Sequence, residues 1–132
     1  MADRRNTRQR QLVLDVVRSR RDHPTVEQIY DSVRELDAHV SRATVYRNLH
    51  LLAEAGNILS IKAPASEHFD LRADSHPHIA CVMCGAVADV DLAWEDDLDE
   101  RAVAGEGWLV RSHAIIFDGL CPSCARREGA GS

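Results

Sequence analysis

The stretch SHPHIACVMCGAVADV, from Ser75 to Val90, concentrates side chains that can bind metal ions. It contains a Cys-x2-Cys pair, and a second pair follows after 36 residues; the four cysteines are Cys81, Cys84, Cys121 and Cys124. Two such turns can offer four thiolates to one Zn(II), which closes a tetrahedral shell without an open position. The spacing therefore predicts a structural zinc site, with disulfides or an iron–sulfur cluster as the alternatives.

Two histidines and an aspartate are left over if the cysteines hold zinc. His76 and His78 are two residues apart, so an extended backbone would place both imidazoles on one face. Asp89 lies on a segment that could pair with them as a neighbouring strand. These three groups could form a second metal site beside the zinc, and ordinary surface or core histidines explain the pair equally well.

Size, composition and charge limit the class of protein. The chain has 132 residues, 45% of them apolar, which suits one compact domain or two small ones. We see neither a signal peptide nor an apolar run of about 18 residues, so we expect a cytoplasmic protein without a membrane span. Residues 1–62 carry 11 basic and 8 acidic side chains, whereas residues 63–132 carry 5 and 13. This asymmetry suggests two parts with different partners, and chance variation of surface charge is the alternative.

The first half of the chain has the pattern of three helices followed by a hairpin. Thr7 is predicted to cap the first helix, Thr25 and Gln28 form a capping box for the second, and Ser41 caps a third that Gly56 ends. The segments ILSIK and EHFDL, joined by APAS, are predicted strands. This order predicts a winged helix-turn-helix, with a helical bundle without a DNA role as the alternative. The expected core positions are Leu12, Val13, Val16, Val17, Val26, Ile29, Tyr30, Val33, Leu36, Val45, Leu49 and Leu52.

The third predicted helix carries side chains suited to DNA. If its apolar residues face the core, its N-terminal end presents basic and hydroxyl groups outward, the part of a recognition helix that enters the major groove. Arginine reads guanine or pairs with phosphate, and hydroxyl groups bond phosphates. For each residue a solvated surface role is the alternative. The predicted DNA contacts are Arg10, Arg42, Thr44, Tyr46 and Arg47.

The second half is predicted to be a small α+β unit. Strands are expected over IACV and AVADV, a helix over AWEDDLDERAVAGEG and a long strand over WLVRSHAIIF, with a disordered tail EGAGS. The whole chain is therefore assigned to the α+β class. We divide it into a winged-helix domain, residues 1–70, and a metal-binding domain, residues 71–132.

Five segments together resemble a known family. TRQR, HPTVEQIY, SRATVYRNLHLLAEAG, HPHIACVMCG and GLCPSC occur in the order and spacing of the ferric uptake regulator family of metal-dependent repressors. The resemblance implies a winged-helix DNA-binding domain, a C-terminal dimerisation domain and a homodimer bound to palindromic operator DNA. It implies no enzyme; a catalytic metal centre is the disfavoured alternative, because no further general base lies at a useful spacing.

Within that family, the second metal site is similar to that of the peroxide-sensing repressors. The resemblance assigns its ligands to His23, Asp70, His76, His78 and Asp89, with Fe(II) or Mn(II) as the regulatory ion beside a structural Zn(II). It also implies that peroxide oxidises His23 or His76. The predicted function is a peroxide-responsive transcriptional repressor, and an iron or other transition-metal uptake regulator without peroxide chemistry is the alternative.

A third metal site of the family is expected to be incomplete in this chain. Ser75 and Pro77 stand where the resemblance calls for ligands, although His113 and Asp96 remain as candidates. We expect His113 to be an ordinary strand histidine. His68, two residues before Asp70, has no assigned role.

Overall fold

A computed structural model describes residues 2–130 of the chain. The first half contains three helices and a hairpin: α1 Ala2–Arg18, α2 Val26–Leu36, α3 Arg42–Glu54, β1 Leu59–Lys62 and β2 Glu67–Asp70. β1 and β2 pair antiparallel, from Leu59 opposite Asp70 to Lys62 opposite Glu67. The predicted winged helix-turn-helix is confirmed, and the β1–β2 hairpin is its wing.

Local capping signals set the boundaries of α2 and α3. The Thr25 side chain accepts a hydrogen bond from the backbone of Gln28, and the Gln28 side chain accepts one from the backbone of Thr25, which is the predicted capping box. Ser41 caps α3, and Gly56, at a φ of 79°, ends it. The prediction for α1 is wrong, because this helix begins well before Thr7. Arginine and glutamine are good helix formers, so the helix continues through a residue that could have capped it.

The apolar faces of α1, α2 and α3 meet in a core that the wing closes. Phe69 of β2 is fully buried in it, which fixes the hairpin against the helices. Leu36, a predicted core residue, is 69% exposed because it is the last residue of α2, and Leu12 and Tyr30 are only partly buried. The buried residues are Val13, Leu14, Val16, Val17, Val26, Ile29, Val33, Val40, Val45, Leu49, Leu52, Ile58 and Phe69.

The second half is a three-stranded sheet with two short helices: β3 His78–Cys81, β4 Val87–Asp89, α4 Leu98–Arg101, β5 Ile116–Gly119 and α5 Pro122–Ala130. β3 is the central strand, antiparallel to β4 and parallel to β5. The predicted α+β class is confirmed. The tail predicted to be disordered is helical as far as Ala130, and residues 131 and 132 lie outside the described part of the chain.

Two predicted elements of this half are much shorter than expected. The helix predicted over 93–107 is limited to α4, and the strand predicted over 108–117 begins only at β5. Trp108 and Leu109 are 77% and 76% exposed, and among the described residues no strand pairs with their segment. A strand forms only where a neighbour bonds its backbone, so the apolar pattern was insufficient to predict one here.

The wing also packs against the second half. A small apolar cluster joins Ile61 of β1 to Ala80 of β3 and Val87. The hairpin therefore contributes to the apolar clusters of both halves, and the division into domains 1–70 and 71–132 stays a prediction. Within the described residues, no helix combines the length and apolar character needed to cross a membrane.

We expect Thr25→Ala to lower the free energy of unfolding by about 0.5–2 kcal/mol, because it removes the cap of α2. The measurement is urea unfolding of the zinc-containing protein, followed by circular dichroism. Thr7→Ala is the matched control, because Thr7 is exposed inside α1 and alanine is the better helix former. Equal losses in the two variants would show that α2 does not depend on this cap.

Candidate metal centres

The four cysteines come together at the end of β3. Cys81 is the last residue of β3 and Cys84 lies in the turn before β4, while Cys121 and Cys124 stand at the start of α5. The four sulfur atoms lie within 4.8 Å of one another. In each Cys-x2-Cys pair, the backbone N–H of the second cysteine donates to the sulfur of the first at 3.5 Å. The two turns predicted from the sequence therefore face each other as one four-sulfur cluster.

The sulfur positions fit a tetrahedral zinc ion. Cys84 Sγ and Cys121 Sγ are 3.7 Å apart, and two sulfurs on Zn–S bonds of about 2.3 Å at the tetrahedral angle are about 3.8 Å apart. Backbone hydrogen bonds from Cys121 and Cys84 lower the pKa of the Cys81 thiol to about 6. The hydrogen bond with Cys121 raises the pKa of Cys124 to about 12. One thiol of the cluster therefore loses its proton readily. Four thiolates close together repel one another and require a cation between them.

Five side chains from both halves of the chain form a second cluster. His23 lies between α1 and α2, and Asp70 is the last residue of β2, so both belong to the winged-helix half. His76 lies in the connector, His78 begins β3, and Asp89 ends β4 directly opposite His78. One ligand atom from each lies within 4.8 Å of the others. The structure thus brings together the five residues that the family resemblance named, four of them buried and Asp89 more exposed.

The imidazole nitrogens and carboxylate oxygens of this cluster face one another at short distances. His23 Nε2 is 2.8 Å from Asp89 Oδ1 and 3.1 Å from Asp70 Oδ2. His76 Nε2 is 2.9 Å from each of these oxygens. His78 Nε2 is 3.4 Å from Asp70 Oδ2 and 3.3 Å from Asp89 Oδ1. Two ligands at right angles on bonds of about 2.1 Å are about 3.0 Å apart, so the spacing fits one ion bound by all five groups.

The chemistry of these groups calls for a cation between them. His76 Nδ1 is 2.7 Å from the carbonyl oxygen of Asp74, which can only accept, so Nδ1 carries the hydrogen and Nε2 of the neutral ring presents a lone pair. Burial acts to raise the pKa of Asp70, but hydrogen bonds from His23 and His78 outweigh it and hold this pKa far below its ordinary value. The hydrogen bond with Asp70 raises the pKa of His23 in turn. Two carboxylates with three neutral imidazoles balance the charge of one divalent ion.

The predicted DNA-contacting side chains lie on α3 and on the neighbouring α1; they are Arg10, Arg42, Thr44, Tyr46 and Arg47. Tyr46 and Arg47 are exposed, and Arg42 is exposed and paired with Glu27 of α2. Arg10 Nε donates to Asn48 Oδ1 at 3.3 Å, which joins α1 to α3. Thr44 is half-buried and its hydroxyl accepts from Ser41, so this residue contributes to the helix cap as well.

Two residues that the sequence did not assign support the second cluster. Asp74 orients His76 through its backbone carbonyl. His68 is buried and donates from Nδ1 to the carbonyl oxygen of His23 at 2.6 Å. The partner of His68 is 45 residues away, so neither spacing nor periodicity could have indicated this contact.

His113 differs from its predicted role as a strand histidine. It lies outside β5, stacks on Trp94 with ring centroids 4.2 Å apart, and its Nδ1 is 2.8 Å from Asp99 Oδ1. Among the described residues, its Nε2 is a buried atom without a hydrogen-bond partner. The incomplete third metal site stays a prediction.

Comparison with known proteins agrees with this geometry. Residues 2–118 match the profile of the ferric uptake regulator family. The chain is 38% identical over 126 residues to the transcriptional regulator FurA of Mycobacterium bovis, covering 94% of this chain and 85% of that protein. It is 30% identical over 125 residues to the peroxide operon regulator of Bacillus subtilis, covering 94% and 86%. A solved structure of a zinc uptake regulator complexed with zinc and DNA matches with a TM-score of 0.70 at 26% identity, covering 92% and 83%.

The chain therefore belongs to the ferric uptake regulator family. Members of this family are metal-dependent transcriptional regulators rather than enzymes, with a winged-helix DNA-binding domain and a dimerisation domain. The family resemblance inferred from the sequence motifs is confirmed.

We expect protein loaded with Zn(II) and Mn(II) to hold two metal ions per chain, which a chelator removes at different rates. Brief dialysis against EDTA should remove Mn(II) and leave zinc, because the four-sulfur shell is closed. Metal content is measured by inductively coupled plasma mass spectrometry. Asp89→Ala should lose Mn(II) alone, and Cys84→Ser should lose zinc together with the fold of the second half. Release of both metals in parallel would contradict two independent sites.

Proposed function

We propose that this chain is a homodimeric transcriptional repressor that binds palindromic operator DNA when an ion occupies the site of His23, Asp70, His76, His78 and Asp89. One observation carries the proposal. His23 and Asp70, from the winged-helix half, lie within 3.4 Å of ligand atoms that belong to the connector and to β3 and β4. A ligand set shared between two halves of a chain is suited to control how those halves are oriented.

The five ligand groups favour one arrangement of the two halves. In that arrangement, His23 and Asp89 can bind the same cation, and any rotation of one half against the other separates them. A ligand that binds one arrangement better shifts the population toward it, by an amount equal to the difference in its binding free energy. Such coupling is typically about 1–3 kcal/mol. In a dimer both subunits contribute, so metal availability can control DNA binding.

DNA recognition is assigned to α3 and the arginines near it. Arg47 and Tyr46 are exposed at the end of α3 that enters the major groove in winged helices. We assign contacts with phosphates to Arg42 and Arg10, and a hydroxyl contact to Thr44. A dimer must hold its two recognition helices about 34–36 Å apart, or a multiple of that distance, to reach both half-sites. The fixed orientation of the two halves sets this spacing.

The second half presents apolar side chains that a second copy of the chain would cover. Large apolar residues between α4 and β5 are strongly exposed, and exposed apolar surface of this kind is typical of a protein–protein interface. Pairing with the same segment of a partner would also give residues 108–115 of the predicted strand a paired strand, which they lack among the described residues. The exposed residues of this half include Leu92, Val103, Trp108, Leu109 and Phe117.

The ligand types separate the two metals. Four thiolates select Zn(II) for the structural site, whereas three imidazoles and two carboxylates suit Fe(II) or Mn(II). Later metals of the first transition row bind such nitrogen and oxygen ligands more tightly, so selection must come from geometry and from the availability of each metal. We therefore assign Zn(II) to the cysteines and Fe(II) or Mn(II) to the regulatory site.

A peroxide response is the more specific form of this proposal. The similar Bacillus subtilis protein is a peroxide operon regulator, and bound Fe(II) would supply the reduction of hydrogen peroxide. His23 Nε2 and His76 Nε2 lie 2.8–3.1 Å from the carboxylate oxygens of Asp70 and Asp89, closer than His78 Nε2 at 3.3–3.4 Å, which supports His23 and His76 as the rings that are oxidised. An oxidised imidazole is a poorer ligand, which releases the two halves. An iron uptake regulator of the same family without peroxide chemistry is the second candidate, and the similar transcriptional regulator FurA favours neither.

We expect Mn(II) to tighten binding to a palindromic duplex selected from a randomised library in the presence of Mn(II). Arg47→Ala should weaken binding by roughly 1–3 kcal/mol per subunit, because it removes a contact to DNA. Fluorescence anisotropy at fixed ionic strength measures the affinity. Arg127→Ala is the matched control: this exposed arginine lies on α5, in the other half, and its loss should have no effect. A wild-type affinity for the duplex that does not change with Mn(II) would contradict metal control.

Peroxide should oxidise the iron-loaded protein selectively. We expect anaerobic Fe(II)-loaded protein, treated with an equimolar amount of hydrogen peroxide, to gain one oxygen atom in a peptide that contains His23 or His76. Peptide mass spectrometry detects the change. Mn(II)-loaded protein should remain unmodified, and His39, which is exposed on the DNA-binding half, is the internal control. An unmodified iron-loaded protein would favour the uptake regulator instead.

A further inference from the structure

His68 is a buried histidine outside the five-ligand cluster, and both of its ring nitrogens have partners. Its Nδ1 is 2.6 Å from the carbonyl oxygen of His23, and its Nε2 is 3.1 Å from Ser66 Oγ. A carbonyl oxygen can only accept, so Nδ1 carries the hydrogen and donates. Nε2 of the neutral ring then accepts from the Ser66 hydroxyl. His68 is 6% exposed, so neither bond competes strongly with water.

The carbonyl that His68 holds belongs to a residue in an unusual backbone conformation. His23 has a φ of 52°, in the left-handed region that a residue with a Cβ rarely adopts. Such a conformation persists only where neighbouring groups fix it. Two further contacts join the residues after His23 to β2. Phe69 N donates to Pro24 O at 2.9 Å, and Thr25 pairs with His68 as an isolated bridge. These contacts hold the loop that carries His23 against β2. The hydrogen bond from His68 is made to His23, the residue with the strained backbone.

We propose that His68 is a positioning residue for the regulatory metal site, which acts by fixing the backbone of His23 so that its imidazole faces Asp70 and Asp89. This inference rests on the proposed function, because it assumes that the cluster binds a metal ion. His68 sits two residues before Asp70 on the same strand. One strand thus supplies a ligand directly and orients a second ligand from the α1–α2 loop.

The same residue connects the metal site to the turn of the wing. Ser66 lies in the turn between β1 and β2, so the contacts run from the turn through His68 to the backbone of His23. The wing turn is part of the DNA-binding half, and its place relative to His23 is set by these two hydrogen bonds. Binding of an ion at His23 therefore restrains the wing as well as the orientation of the two halves.

Two polar substitutions at His68 separate the bond to His23 from general packing. In His68→Asn, the amide nitrogen takes the place of Nδ1 and keeps the donor to His23. In His68→Gln, the amide extends toward the place of Nε2, so the bond to Ser66 is retained and the bond to His23 is lost. Val33→Ala is the stability control, because Val33 is fully buried in the core of the helical half and its apolar side chain cannot bond to His23.

The test measures Mn(II) affinity of the zinc-containing dimer by isothermal titration calorimetry, with the visible spectrum of the Co(II)-substituted regulatory site as a second readout. We expect His68→Gln to weaken Mn(II) binding about 10–100-fold, as loss of a group that orients a ligand typically does, and to alter the Co(II) spectrum. His68→Asn should stay within about three-fold of the wild type. Val33→Ala should lower the melting temperature and leave the Mn(II) affinity and the Co(II) spectrum unchanged.

Equal Mn(II) affinities in His68→Asn and His68→Gln, whether unchanged or equally weakened, would overturn the positioning role. A wild-type protein that binds no Mn(II) beyond its zinc would instead contradict the proposed function, so the two failures are distinguishable. If His68→Gln does not fold, His68→Leu takes its place. This change fills the buried position with a side chain that has no donor for the carbonyl of His23, and a wild-type Co(II) spectrum in that variant would overturn the inference.

Discussion

The structure depends on five acceptor groups that two halves of one chain bring to a single point. Each of the three imidazole nitrogens lies within 3.4 Å of both carboxylate oxygens, and an arrangement of this kind is stable only with protons or a metal ion between these atoms. Because His23 belongs to the helical half and Asp89 to the sheet, a cation that balances these charges would also fix the two halves relative to each other. The proposed metal control rests on this electrostatic requirement.

The wing connects the cluster of histidines and aspartates to the packing of both halves of the protein. Phe69 anchors it in the helical core, while Ile61 packs it against the sheet of the second half. Asp70, at the end of the wing, is one of the proposed metal ligands, and His68 donates a hydrogen bond to the backbone of another, His23. A four-residue strand thus alternates between a core contact and site contacts, because successive side chains point to opposite faces. The hairpin that usually serves DNA binding is here also the support of the metal site.

A zinc ion bound by the four cysteines would add stability to the second half, which has little apolar packing of its own. Its small cluster of Ile61, Ala80 and Val87 draws one member from the wing, and much of the segment between α4 and β5 is exposed. A structural zinc ion contributes on the order of 10–16 kcal/mol in small modules of this kind. His78 begins β3 and Cys81 ends it, so zinc bound by the four cysteines would also hold the strand of His78 in place. In the proposed function, the structural metal thereby supports the site of the regulatory one.

The sequence by itself determined the features that are encoded locally. The capping box at Thr25, the glycine end of α3 and the paired Cys-x2-Cys turns depend on residues a few positions apart, and the structure has them as predicted. The predicted cap at Thr7 was wrong because the helix extends through it, and the predicted strand over 108–117 is limited to its end because no described strand pairs with the part before β5. Only the tertiary structure brought out the bond of His68 to His23 and the spacing of the five ligands. Contacts across tens of residues arise from packing of whole elements, which leaves no periodic trace in the chain.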